Sequence, residues 1–283
     1  MSQRIINKIL SAIVGAFLYA PVCFPNEADS LKVDSLLRES MDKSLLTGNE
    51  RIMYFAKSLI GTPYKGGTLD AGLNESLMVR TDSLDCTTYV EIVLALYLSS
   101  LKDNIGYGGF KDALQLIRYR NGVINGYTSR LHYFSDWVAD NIKKGILREV
   151  TCNGQCETRH LSLDYMTTHS GLYRHLRLDT SLVSGMKLVE RYWKDYDMPY
   201  IPKKYLRSGI SEHDIMNGDV IALTTNIEGL DVLHLGFAIW IDRELHLLHA
   251  SSLHEKVIID SLSLYDYLKD RKKHIGIRVI RVK

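Results

Sequence analysis

Asp82-Ser83-Leu84-Asp85-Cys86-Thr87-Thr88-Tyr89-Val90-Glu91 runs on through Ile92-Val93-Leu94-Ala95-Leu96-Tyr97, and it reads as a loop that turns into a helix. Asp85 is a good N-cap, with Thr87 and Thr88 in the first turn. Tyr89, Val93, Leu96 and Tyr97 recur at helical spacing, so one face is expected to be buried. Cys86 then takes the first helical position, where free N–H groups and the helix dipole favour a thiolate. That makes Cys86 a candidate nucleophile. The alternative is a small core cysteine, since free Cys is among the most buried residue types.

On the N-terminal side, Arg51 to Leu59 has helical periodicity and stops at Gly61-Thr62-Pro63. Tyr64-Lys65-Gly66-Gly67-Thr68-Leu69 is too glycine-rich for regular structure. Residues 26–48 are polar and read as a loosely held helix. Before them, Arg4 and Lys8 precede an apolar run, Ile9 to Tyr19, that is short for a membrane span, and Ala20-Pro21-Val22-Cys23 follows. Residues 1–25 therefore read as a signal peptide or lipoprotein signal, and the protein as exported. A lipid on Cys23 would be its only membrane contact.

Of 283 residues, 46% are hydrophobic, and 35 Lys+Arg face 33 Asp+Glu. A nearly neutral chain without a basic stripe argues against nucleic acid as a partner. In an oxidising compartment Cys152 and Cys156 would close a small disulfide loop, leaving Cys86 as the odd thiol. A metal site from Cys152, Cys156 and His160 lacks a convincing fourth ligand nearby. With no HExxH motif either, no metal or cofactor is expected.

On the C-terminal side, residues 107–210 read as mainly helical, with helices at Phe110 to Tyr119, from Ser129 onward, and at Ser181 to Tyr196; Pro199 and Pro202 mark a linker. After Asn217-Gly218 the period changes to strands: 219–224, 232–241, 244–251, 256–260 and 275–282, with a short helix at 263–272. Short connections make the first of these antiparallel neighbours.

A cysteine nucleophile needs a base, and the base needs an orienting group. If the hairpin turns on Asp242-Arg243, Ile241 faces Glu244, Gly236 faces His249 and His234 faces Ser251. His234 and His249 are then diagonal neighbours on one face, and Gly236 leaves room for their contact. Leu235, Phe237 and Ile239 fall on the other face, which suits the core. His246 lies opposite and reads as an exposed polar residue, and His254 and His274 as loop or edge residues.

Gly61-Thr62-Pro63-Tyr64 with Gly66-Gly67, then Asp85-Cys86, Gly218-Asp219-Val220, His234-Leu235-Gly236-Phe237 and His249-Ala250-Ser251 come in the order found in NlpC-type cell-wall cysteine peptidases and amidases, and the chain resembles them over roughly 50–100 and 215–283. The resemblance implies an α+β, papain-like fold, with a helix carrying the Cys packed on an antiparallel sheet carrying the His. It implies Cys86 as nucleophile, His234 as base, His249 as orienting residue, and Tyr64 helping the Cys86 N–H to hold the oxyanion. The chain departs from the usual Cys-Ser-Gly at Cys86-Thr87-Thr88, and the segment between Cys86 and His234 is far longer than in compact members. That segment, with Cys-Thr-Thr-Tyr-Val-Glu, resembles a bacterial N-acetylmuramoyl-L-alanine amidase-like subfamily, as do Arg130-Leu131-His132-Tyr133 and Asp136-Trp137.

The expectation is thus one catalytic domain, 26–283, with 107–210 as an insertion. It would face the cell wall, in the periplasm or membrane-anchored, and act on peptidoglycan or muropeptide fragments. The favoured bond is the N-acetylmuramoyl–L-alanine amide. The γ-D-glutamyl–diamino acid bond is the alternative, and an inactive wall-binding lipoprotein a third. Substrate-binding candidates are Asp85, Arg130, His132, Tyr133, Asp136 and Trp137. Arg130 would fork onto a stem carboxylate, while Tyr133 and Trp137 would stack on a sugar. The alternative, that Tyr133, Phe134 and Trp137 are core and Arg130 a surface residue, stays open.

Overall fold

The computed structural model describes residues 27–41, 46–72, 74–102, 105–150, 155–207, 210–211 and 214–283; the expected signal at 1–25, with Cys23, and Cys152 lie outside them. Helix α1 (Glu27–Met41) has Glu27 and Asp29 in its first turn, where they complement the helix dipole. It is not loosely held. Val33, Leu36 and Leu37 are buried in the main core. Asp29 Oδ1 accepts from the N–H and hydroxyl of Thr81, at 2.6 and 2.7 Å, just upstream of the cysteine loop. Helix α2 (Gly48–Ser58) starts with a capping box from Thr47 and Glu50, and a turn through Gly61, at φ 88°, ends the segment.

Helix α3 (Cys86–Ser100) is the centre of the molecule. The sequence suggested one buried face, but all sides from Thr88 to Tyr97 are covered. The reason is that α1, α2 and α4 (Tyr107–Arg118) pack around one side and strands of the sheet cover the other. Glu91 tolerates this position because Arg118 Nε donates to its carboxylate at 2.7 Å, both residues being buried.

The remaining elements follow in order: α5 (Phe134–Lys143), β1 (Leu147–Glu149), β2 (Glu157–Leu161), α6 (Tyr165–Thr168), α7 (Arg174–Leu178), α8 (Ser181–Tyr192), β3 (Tyr196–Pro202), β4 (Val220–Thr225), β5 (Val232–Ile241), β6 (Glu244–Ser251), β7 (Lys256–Ile259), α9 (Leu264–Lys269) and β8 (His274–Val282). The strands form one antiparallel sheet of order β2-β3-β8-β4-β5-β6-β7, with β1 also on β8. The fold class is α+β, as expected. One sheet face, with Ala222, Leu235, Phe237, Leu248 and Ala250, joins α3 in the main core. The other packs Leu223, Ala238, Leu247 and Val279 with Leu264 and Leu268 of α9.

The 107–210 segment is less helical than its sequence suggests, for it supplies three strands. Strand β3 contains Pro199 and Pro202 and so reads as a linker. Its only pairing with β8 is at Ile201–Ile277 and Pro202–Gly276, so it is tolerated where a continuous central ladder would not be. The segment also carries its own core of Tyr127, Tyr133, Leu163, Met166, Met186 and Trp193. Cys156 is disulfide-bonded. His160, the other described member of the alternative metal set, faces Asp197 at 2.8 Å.

Candidate active site

Cys86 is the first residue of α3. Asp85, in extended conformation before it, accepts from the Thr88 N–H at 2.8 Å, and the Thr88 hydroxyl closes the box by accepting from the Asp85 N–H at 2.9 Å. The Asp85 carboxylate, a substrate-binding candidate in the sequence, is therefore engaged as a helix cap. Donors near the Cys86 thiol, the Leu235 backbone and Thr87, act to lower its pKa. Burial and the nearby Asp85 carboxylate outweigh them and push the thiol up to about 11. The sequence suggested the opposite, because the helix N-terminus was weighed without the enclosure and the carboxylate that come with it.

The base side is built by the β5–β6 hairpin. Asp242 and Arg243 both take left-handed backbone, φ 50° and 68°, which is the two-residue turn that fits strand twist. Ile241 faces Glu244, and the ladder runs to Phe237–Leu248. It stops there, so the Leu235 N–H, on the β6 side, is left out of the ladder near Cys86. On its other edge β5 is bulged. Leu223 faces His234 and Thr224 faces Val232, so Leu233 is an extra residue. A bulge beside the site re-aims the next side chain, and here that side chain is His234.

His234 Nε2 lies 2.6 Å from His249 Nδ1. His249 is buried, and its Nε2 lies 3.5 Å from Asp260 Oδ2, itself buried. A carboxylate only accepts, so we assign the hydrogen of His249 to Nε2, facing Asp260 in an ion-pair contact rather than a closed hydrogen bond. In the neutral ring Nδ1 then accepts, and His234 Nε2–H donates to it. The free lone pair is left on His234 Nδ1. Burial first, then the His249, His274 and Arg271 charges, lower His234 to about 3. Burial lowers His249 to about 4 against the opposing pull of Asp260. Both rings are neutral near pH 7.

Asp260 was missed by the sequence reading, although the same register reasoning reaches it. His249 faces Ile258 across β6–β7, and period two puts Asp260 on the His249 face. His246 is a correction as well. It is buried rather than exposed, with Nδ1 3.0 Å from the Asp260 carbonyl oxygen. His274 opens β8, inside the sheet rather than at its edge.

Cys86 and His234 line one cavity of about 160 Å³, walled by His132, Tyr133, Phe134 and Trp137 of the 107–210 segment. Tyr133 is buried, and its hydroxyl donates to Glu190 at 2.8 Å while accepting from the Met166 N–H. Trp137 is buried and stacks on Phe134, and its Nε1–H has no partner. Burial holds His132 well below the usual imidazole range, with its Nε2 on the Tyr127 carbonyl oxygen at 2.9 Å.

Arg130 and Asp136 are not on this wall. Arg130 is buried, with Asp70 at 2.6 Å and Glu75 at 3.4 Å, over the Tyr127 ring. Asp136 accepts both Arg120 nitrogens, at 2.9 and 2.6 Å. The helix expected from Ser129 begins only at Phe134, and Tyr133 is its extended N-cap. The missing cue is distant in sequence: Asp231 Oδ2, 2.7 Å from the Ser135 N–H, satisfies its first turn. Tyr64 lies beside the thiol, its phenol raised by burial and then by the Cys86 and Asp85 charges.

A family model described as N-acetylmuramoyl-L-alanine amidase-like matches residues 54–277. The crystal structure of an N-acetylmuramoyl-L-alanine amidase from Bacteroides uniformis superposes with a TM-score of 0.79 at 41% identity, covering 83% of this chain and 99% of that one. A Bacteroides fragilis protein named provisionally as a xylanase gives 0.76 at 44% identity, covering 80% and 99%. A Legionella pneumophila protein gives 0.68 at 27% identity, covering 90% and 95%. No curated protein matches the chain.

Proposed function

The chain belongs to the N-acetylmuramoyl-L-alanine amidase-like family, and from that premise we propose that it is an exported peptidoglycan amidase that hydrolyses the bond between the muramoyl lactyl carbonyl and L-alanine, with Cys86 as nucleophile. The observation that carries the cysteine mechanism is the shared cavity: a thiol at a helix N-terminus and a neutral, oriented imidazole both line it.

The resting pair is thiol plus imidazole. As the substrate carbonyl approaches, the thiol proton passes to His234 Nδ1 and the sulfur attacks the carbonyl carbon. The Cys86 N–H, free at the first helical position, and the Tyr64 hydroxyl are the donors for the oxyanion. His234 Nδ1–H then protonates the departing L-alanine nitrogen, leaving a thioester. Water, deprotonated by His234, attacks the thioester, and the proton returns to the thiolate as the lactyl carboxylate leaves. His249 and Asp260 act as positioning residues. They hold the tautomer that keeps Nδ1 open and stabilise the imidazolium when it forms.

The xylanase name of the Bacteroides fragilis neighbour draws no support from the cavity. Glycoside hydrolysis needs two carboxyls free to act across a gap of roughly 5–9.5 Å. Glu91 and Asp231 reach the wall, but Glu91 is held by Arg118, and Asp231 by the Ser135 and Val232 N–H groups.

The test is digestion of purified muropeptides followed by mass spectrometry. The amidase reading expects free stem peptide and intact glycan, lost on Cys86→Ala and insensitive to EDTA. Cleavage within the stem would replace it with the γ-D-glutamyl endopeptidase reading. Turnover by Cys86→Ala would end the cysteine mechanism.

A further inference from the structure

A second cavity, of about 460 Å³, also reaches His234. Its wall includes His234 and His249 but not Cys86, together with Ser251, Ser252, Arg271 and His274. No carboxylate lines it, among the described residues.

Arg271 is set up there as a cation with no acidic partner among the described residues. Its guanidinium lies over the Tyr267 ring at 4.1 Å, and its Nε donates to the Tyr267 carbonyl oxygen at 2.9 Å. Its own carbonyl oxygen accepts from Lys203 Nζ at 3.2 Å and from the His274 N–H at 3.1 Å, which fixes the turn. The two terminal nitrogens face no acid among the described residues. His274 Nδ1 is buried without a partner. The Arg271 charge also depresses His234, His249 and His274, so it acts on all three rings.

The chemistry of the step says what belongs there. His234 must protonate the leaving nitrogen, so that nitrogen lies over His234. The acyl part sits on the Cys86 side, in the aromatic cavity. The peptide carried by the leaving nitrogen must continue past His234, into the second cavity. We propose that this cavity is the stem-peptide site and that Arg271, with His274 beside it, binds a free carboxylate of the leaving peptide. The proposal rests on the amidase reading for its direction and assigns to Arg271 the carboxylate fork that Arg130, already paired, does not offer.

The experiment compares muropeptides whose second stem residue carries a free α-carboxylate or its primary amide, using wild type, Arg271→Gln and Arg271→Lys. Wild type is expected to prefer the acid by roughly tenfold or more in kcat/KM, as a charge-assisted fork should. Arg271→Gln should bring that acid-to-amide preference close to parity, and Arg271→Lys should regain part of it. Equal loss on both substrates, or no loss on either, overturns the proposal. Calorimetry of L-alanyl-γ-D-glutamate on Cys86→Ala, with and without Arg271→Gln, reads the site without turnover. Roughly tenfold weaker binding without Arg271 supports the anion site even if the amidase reading fails, whereas unchanged binding, or none in either protein, sinks it.

Discussion

Gly236→Ala is a one-methyl perturbation whose effect on the catalytic rate can be worked out in advance. The backbone at Gly236 is ordinary, so only space matters. A Cβ there would stand 2.8 Å from the Leu248 carbonyl oxygen, 2.9 Å from His249 Cβ and 2.9 Å from Leu247 Cδ1. Normal contacts begin about half an ångström further out, so β6 must move away from β5. The ladder gives no resistance, because it already ends at Phe237–Leu248, and the displaced side chain is therefore His249. Overpacking of this kind costs about 1–3 kcal/mol, or a Tm loss of roughly 2–10 °C for a domain of this size. The larger effect is on rate. The His249–His234 contact is 2.6 Å, and misplacing a catalytic group by about 1 Å costs on the order of a hundredfold. Kinetics on a muropeptide at a temperature where circular dichroism shows the variant folded should give kcat down roughly ten- to a hundredfold with KM nearly unchanged. Wild-type kcat in a folded variant, or a loss explained wholly by its unfolded fraction, would refute the reasoning.

Iodoacetamide should modify Cys86 slowly at pH 6 and ever faster toward pH 10, since the thiol is pushed up to about 11; rapid alkylation at pH 6 would reveal a preformed thiolate–imidazolium pair. His234 and His249, lowered to about 3 and about 4, stay neutral in the fold while the unfolded chain takes up protons near 6.5. The unfolded state binds more protons between those values, so stability rises with pH from about 4 to 6.5 and is lost on acidification; urea midpoints should show this, with a shallower fall in His249→Gln, and an identical slope would contradict it. Arg130→Ala leaves Asp70 and Glu75 without their shared cation, Glu75 keeping only the Tyr119 hydroxyl and Asp70 only His175 at 3.6 Å among the described residues, so it should cost about 3 kcal/mol with kcat of the folded fraction unchanged; a raised KM at an unchanged Tm would return Arg130 to the substrate.

The sequence carried the parts of this architecture whose determinants are local. Asp85, Cys86 and Thr88 settle where α3 begins, and Asp242-Arg243 sets the hairpin register from which His234 and His249 fall on one face. Long-range determinants were out of reach. The start of α5 depends on Asp231, the saturation of Arg130 on Asp70 and Glu75, and the thiol's high pKa on the enclosure around it. Asp260 falls between these cases, since its place follows from strand alternation once the β6–β7 register is known. His246 was misread for a related reason: alternation gives the face but not what covers it, and His246 shares the face of Leu248 and Ala250 that packs into the main core.

The pairing of β1 and β3 with β8 bears on how such proteins can be altered. Between them, these two short strands occupy the edge of β8 that β4 leaves open, at Leu147–Val282 and its neighbours and at Ile201–Ile277 and Pro202–Gly276. Excising residues 107–210 to leave a minimal enzyme would uncover a row of backbone N–H and C=O groups on the last strand of the chain, next to the buried Ile277 and Val279. Such an edge is a template for pairing with other chains. A trimmed version is therefore a candidate for aggregation rather than for broadened activity, and any replacement for residues 107–210 would have to supply a new neighbour for β8. Changes of specificity in this chain are therefore more readily made residue by residue on the cavity walls than by removing or exchanging the whole 107–210 segment.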